Sequence, residues 1–357
     1  MRTMDIPITQ SDEWAKLQQD LDERYHQRTG KDYHFLAIEK HTPVGKYLYC
    51  PYGPVASDEK SLEHALKELR NIARELNALF IRIEPTDAHF SKLLPEAAKS
   101  LRLKLVKTKD LNPKETWLLD LTGTEEELNS KLPSRLLRYY KSASKKGITI
   151  EKSHNPADIH YLLELQRTLA SEKGINTFSE QYLATELQQP FATLYLVWYD
   201  QTKTVTNGNT WEGDRPEANG DTDGWPSLGA PHGAQRHGGK CEDRTRQEII
   251  AAGLVFDDET TRYNLQGAQS DEGRKLHATG ILTIQLILDA YHKGLKTFDF
   301  WGIAPESAPD THPWSGFTNF KKTFAGYQKN HAGTYDLVLH PTKYKLYQLL
   351  RNIRRKI

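Results

Sequence analysis

The stretch FTNFKKTFAG, residues 317–326, sets Phe320, Lys321 and Phe324 within two turns of chain, just after the strand-like run TFDFWGI. An ammonium beside aromatic surface at a sheet opening can hold a phosphate or stabilise a developing oxyanion, and an aromatic face there can stack a nucleobase. The spacing of Phe320 and Phe324 also suits a helix that buries its rings and leaves its lysines in water. Asp120 ends the apolar run TWLLDL. A carboxylate at a strand end can act as a general base or orient an amine, or it can cap the next turn or pair with a nearby arginine.

A second constellation is cationic. The spacing predicts one helix over 131–146, carrying Lys131, Arg135, Arg138, Lys141, Lys145 and Lys146, with Tyr139 and Tyr140 alongside. Such a stripe either meets phosphates or is a solvated helix face. The tail RNIRRKI poses the same choice. His232, His237 and Cys241 have metal-binding side chains, but their loose spacing in a Gly- and Asp-rich segment points to no metal site. P-loop, Rossmann glycine, HExxH and GxSxG patterns are all missing, which argues against a nucleotide hydrolase, a zincin and a serine hydrolase of the usual type.

Something must position these residues, and 357 residues suffice for two medium domains. The net charge of +1 confines any nucleic-acid contact to a local patch. Two distant cysteines, Cys50 and Cys241, suggest no disulfide framework. MRTMDIPITQ lacks the apolar core of a signal peptide, and no apolar run reaches the ~18 residues of a membrane span. The expectation is a cytoplasmic protein.

A strand–helix–strand unit occurs twice. KYLYCPYGPV, the amphipathic SLEHALKELRNIARELNA and LFIRIEP form the first. RYNLQGA, the apolar HATGILTIQLILDAYHKG and KTFDFWGIA form the second. Each spacing fits a crossover between parallel strands, and the repetition points to two similar α/β domains. TLYLVWYD and EIIAAGLVFD read as one hairpin, interrupted at 203–247 by a Gly/Asp/Asn/Pro-rich insertion too poor in aliphatic residues to order itself.

Taken together, PYGPV (51–55), IRIEP (81–85), TWLLDL (116–121), SRLLRYYKSASKKGI (134–148), YNLQGAQS (263–270), FDFWGI (298–303), GFTNFKKTFAG (316–326) and YDLVLHPTKYKLYQLL (335–350) resemble the FemABX peptidyltransferases. They occur in family order over nearly the whole chain outside the insertion. The resemblance implies an α/β (α+β) fold of two tandem GNAT-like domains with mixed sheets. The expected limits are 1–148 plus 333–357 for the first domain and 149–332 for the second. The long helical arm of the staphylococcal members is missing, since GITIEK directly follows the basic helix.

The implied activity moves an amino acid from aminoacyl-tRNA to the side-chain amine of a peptidoglycan precursor pentapeptide, lipid-linked or UDP-linked. No cofactor is implied, because an aminoacyl ester is already activated. By position, Lys321 and Phe320 would meet the tRNA end and the reacting ester, and Asp120 the acceptor amine. Lys46 would bind acceptor phosphates, with Tyr263 and Tyr182 near the acceptor and Arg135, Arg138, Lys141 and Lys145 towards tRNA. An arginine expected about a turn before Tyr182 is not evident, Phe178 standing near there. The implied protein is a monomer, with peripheral membrane contact if its acceptor is lipid-linked. Two other classes remain open: an acyl-CoA-dependent N-acetyltransferase, whose pyrophosphate loop QGAQSDEG and HATGIL do not fit, and a non-catalytic RNA- or precursor-binding protein.

Overall fold

A computed structural model describes residues 5–173, 178–202 and 247–354. The chain forms two compact units, residues 1–116 with 329–357, and residues 117–328.

The first unit contains α1 (Asp12–Asp20), β1 (Tyr25–Thr29), β2 (Tyr33–Thr42), β3 (Gly45–Cys50), β4 (Val55–Ala56), α2 (Glu59–Glu75), β5 (Phe80–Ile83), α3 (Phe90–Ser100) and β6 (Lys104–Lys107). Its sheet runs β1-β2-β3-β5, then a strand from the far end of the chain, then β6, with β4 on β2. β3 and β5 are parallel, as the strand–helix–strand reading requires. Asp58 caps α2 by accepting from the Ser61 amide. The helix buries Leu62, Ala65, Leu66, Leu69, Ile72 and Ala73, the face its periodicity marks.

The second unit holds β7 (Glu115–Asp120), α4 (Glu125–Lys131), α5 (Ser134–Ser142), β8 (Ile148–Ser153), α6 (Ile159–Lys173), α7 (Glu180–Leu187), β9 (Ala192–Asp200), β10 (Gln247–Asp257) and β11 (Thr261–Gln269). It continues with α8 (Asp271–Lys275), α9 (Ala278–His292), β12 (Thr297–Gly302), α10 (Ser315–Lys322) and β13 (Tyr327–Asn330). The sheet order is β13-β7-β12-β11-β10-β9-β8. β9 and β10 pair antiparallel, giving the expected hairpin. Apart from Gln247, the insertion at 203–247 lies outside the described residues, as do His232, His237 and Cys241.

The chain then returns to the first sheet with β14 (Tyr335–Val338), antiparallel to both β5 and β6, and ends in α11 (Pro341–Arg354). The two sheets therefore exchange strands. β7 follows β6 in sequence but lies between β12 and β13, whereas β14 follows β13 but lies between β5 and β6.

This exchange corrects the expected boundary. Residues 117–148 belong to the second unit, because β7 pairs in its sheet and α5 packs on α9. A Cβ at Gly280 would stand 2.6 Å from Leu136 Cδ2, so the two helices approach closely there and a larger residue would require the Leu136 side chain to shift. The chain leaves the second sheet after β13 and re-enters the first at β14, on either side of the expected 333. The single helix expected over 131–146 is broken as well. Leu132 and Pro133 are extended, which separates α4 from α5, and a 3-10 turn over Ser144–Lys146 follows.

Candidate functional site

The parallel strands β11 and β12 pair only over Thr261–Tyr263 and Thr297–Asp299. Both then continue without pairing each other, as residues 264–269 and 300–302. β11 stays on β10, with Leu265 as an extra residue between the Val255–Asn264 and Leu254–Gln266 pairs. Such a bulge bends and twists its strand, here where β11 parts from β12. Residues 264–267 are half-buried although β11 is an interior strand. The divergence leaves an opening between two strand ends.

Lys321 reaches β12 at this opening from α10. Its ammonium donates to the Gly302 carbonyl oxygen at 2.7 Å and sits 4.9 Å from the centre of the Phe317 ring, one turn back on the same helix. Thr318 Oγ1 accepts from the Ala304 amide at 2.8 Å and fixes α10 to the segment after β12. Burial pushes the Lys321 pKa down to about 7, and the neighbouring Asp299 carboxylate opposes that shift. A group so placed can donate a proton near neutral pH.

The aromatic surface differs from expectation. Phe324 is fully buried in the core, and Phe320 packs edge-on against it at 5.5 Å. The two rings anchor α10, and Phe317 is the ring beneath the ammonium.

Asp299 was not anticipated. It is buried, and its Oδ1 accepts from the Trp301 amide at 2.7 Å. Trp301 holds φ at +66°, a left-handed conformation that is strained for a bulky side chain. Its ring stands edge-on to Tyr263 at 6.2 Å, and the Tyr263 hydroxyl donates to Asp258 Oδ2 at 2.7 Å. Tyr263 faces Asp299 across the last paired position. Lys321, Asp299, Trp301 and Tyr263 thus gather where the sheet opens. The available sequence signal was an Asp two residues before Trp-Gly, since Asp side chains readily bond the amide two residues on.

Asp120 is not part of this group. It ends β7, where the Leu121 amide donates to the Lys296 carbonyl just before β12 begins. Gly302 lies six residues further along β12, about 20 Å away at strand rise. Asp120 Oδ1 accepts from the Thr122 amide and hydroxyl at 2.9 and 2.7 Å, while Lys131 lies 3.6 Å from Oδ2. The Thr122 hydrogen bonds, then Lys131, hold its pKa low. Asp120 therefore caps a turn, which corrects its pairing with Lys321.

Lys46, on β3 of the first unit, places its ammonium 3.0 Å from Glu39 Oε2, and His26 Nε2 lies 2.9 Å from the other oxygen. Burial works to raise the Glu39 pKa, but the His26 and Lys46 hydrogen bonds prevail and lower it. A phosphate at Lys46 would compete with that carboxylate.

Tyr182 opens α7, stacked on Phe178 at 5.0 Å and hydrogen-bonded to the buried Glu186. Burial raises the Glu186 pKa to about 8, and the Tyr182 hydrogen bond opposes it. Arg135, Arg138, Lys141 and Lys145 are all exposed on α5 and the turn after it. Arg135 Nε donates to the Tyr139 hydroxyl at 2.8 Å, and Tyr139 stacks at 4.4 Å on His277, itself left-handed at the start of α9. Among the described residues no three His, Cys, Asp or Glu side chains are grouped to hold a metal ion, and no helix is long and apolar enough to cross a membrane.

The FemAB family model matches residues 236–352. The lipid II:glycine glycyltransferase of Staphylococcus aureus (strain USA300) is 23% identical over 337 residues, covering 84% of this chain and 78% of that protein. Among solved structures, FemX superposes with a TM-score of 0.70 at 18% identity, covering 95% of this chain and 94% of the other. The C-terminal domain of a putative lysylphosphatidylglycerol synthetase from Agrobacterium fabrum superposes with a TM-score of 0.55 at 14% identity, covering 96% and 93%. These structural likenesses bear on the fold alone, two α/β units each built on a mixed sheet.

Proposed function

We propose that this chain, which is similar to the FemAB family over residues 236–352 and to a lipid II:glycine glycyltransferase, is an acyltransferase moving an amino acid from aminoacyl-tRNA to the side-chain amine of a peptidoglycan precursor pentapeptide. The observation that carries this reading is the Lys321 ammonium fixed on Gly302 at the divergence of β11 and β12. The names of the S. aureus relatives, lipid II:glycine glycyltransferases, support the cell-wall acceptor and the transferred amino acyl group.

In the proposed reaction the neutral acceptor amine adds to the ester carbonyl carbon, forming a C–N bond and a tetrahedral oxyanion. The C–O bond to the ribose then breaks. The attacking nitrogen loses a proton and the departing ribose oxygen gains one. An ammonium has three N–H donors, of which Lys321 places one on Gly302. A second can face the oxyanion, and a pKa near 7 suits proton delivery to the ribose oxygen. Holding amine and ester together supplies much of the remaining rate. The Tyr263 and Trp301 rings wall the opening, and the exposed cations of α5 offer phosphate contacts to the tRNA. Asp120 takes no part at this site.

Single-turnover transfer from charged tRNA, with UDP-linked or lipid-linked pentapeptide as acceptor, tests the proposal. Lys321→Ala is expected to slow the step about 10²–10³-fold with the circular dichroism spectrum unchanged. An undiminished rate removes Lys321 from the site, and an intact ester with every acceptor removes the activity.

A further inference from the structure

The C-terminal helix α11 is apolar on two opposite faces. Its inner face carries Tyr344 and Tyr347, whose rings pack on Phe80 at 5.1 and 5.0 Å. Its outer face carries Leu346, Leu349 and Ile353, which are 46%, 56% and 47% exposed. Steps of three and four residues put them on one stripe, pointing away from the first unit's core. A lone exposed leucine needs no explanation, but three in register on one helix do.

The charge beside the stripe is of one sign. Lys343 and Lys345 are exposed on the same helix. After Asp336 the sequence has no acidic residue, and its last residues are RNIRRKI. The core of a protein–protein interface is depleted in lysine and anchored by aromatic residues or arginine. A narrow aliphatic stripe edged by lysines, whose stems can lie along it while their charges stay in water, matches the boundary of an anionic bilayer.

We infer that the outer face of α11 docks the protein on a negatively charged lipid surface, with Leu346, Leu349 and Ile353 entering the headgroup boundary and Lys343 and Lys345 meeting lipid phosphates. This would bring the proposed activity to acceptors carried in a membrane. It is measured without donor or acceptor, so it stands or falls apart from that activity.

The test is sedimentation of the full chain with phosphatidylcholine vesicles, with and without phosphatidylglycerol. Binding is expected only with the anionic lipid and is expected to weaken with salt. Leu346→Ser/Leu349→Ser/Ile353→Ser should lose it. Lys343→Glu/Lys345→Glu should weaken it about 30-fold or more without touching the apolar stripe, so the inference stays testable if the first variant folds poorly. Transfer to a UDP-linked acceptor should be unchanged in both. Failure of the wild-type chain to bind anionic vesicles overturns the inference, as does equal binding by either variant. So does a dimer in solution that the serine variant dissolves while vesicles bind nothing, which would make the stripe a contact between two copies.

Discussion

The Lys321 ammonium lies 2.7 Å from the carbonyl oxygen of Gly302, three residues beyond Asp299 on the same strand. The lysine arrives on α10, while its hydrogen-bond acceptor and its counter-charge both belong to β12. Gly302 holds the ammonium in place, Asp299 favours its charged form, and burial disfavours it.

The first prediction concerns pH. If Lys321 delivers the proton, kcat/KM falls as pH rises through about 7. Lys321→Arg stays charged at every accessible pH, so its lower activity should lack that falling limb. A pH–rate profile of both proteins checks this, and an identical limb in the variant would assign it to another group.

Asp299→Asn should move the same limb to lower pH. The amide oxygen can still accept from the Trp301 amide, so the left-handed turn survives, but the negative charge that raises the Lys321 pKa is gone. A rate loss with no shift of the limb would reduce Asp299 to a turn-former.

Lys321 should also cost stability. Its pKa is about 7 folded against 10.5 for an ordinary lysine, so between those values the unfolded chain binds the extra proton and stability rises with pH. Below about 7 the whole penalty is present. Lys321→Met should therefore melt about 2–4 °C higher than wild type at pH 6, with the gap closing towards pH 10. Thermal melts across that range decide it, and a variant less stable at pH 6 would refute the claim.

Asp120→Ala should leave transfer within about threefold of wild type, because the turn cap is remote from Lys321, and cost about 1 kcal/mol or less of stability. A loss of about a hundredfold or more would return Asp120 to the chemistry.

The repeated strand–helix–strand units were legible because α2 keeps strict apolar spacing, and α9, apolar nearly all round, ends at Gly294 with φ +83°. Lys321 was singled out for the aromatic residues about it, and the ring under its charge is Phe317 rather than Phe320 or Phe324. The divergence of β11 and β12 was not, since YNLQGA and TFDFWG have the same apolar character whether or not they pair. The left-handed turn at Trp301 had a signal that went unread, Asp299 two residues before it, whose side chain accepts from the Trp301 amide. Asp120 was misplaced because a strand-end carboxylate looks alike at either end of a sheet.

The exchange of β7 and β14 has a genetic corollary. No single cut can release two complete halves: a protein truncated after β6 would lack the strand between β5 and β6, and one starting at β8 would lack the strand between β12 and β13. An ancestor that doubled a gene for one such lobe would, through this interlacing, have bound the copies into one inheritable piece, closed to later separation by simple fission.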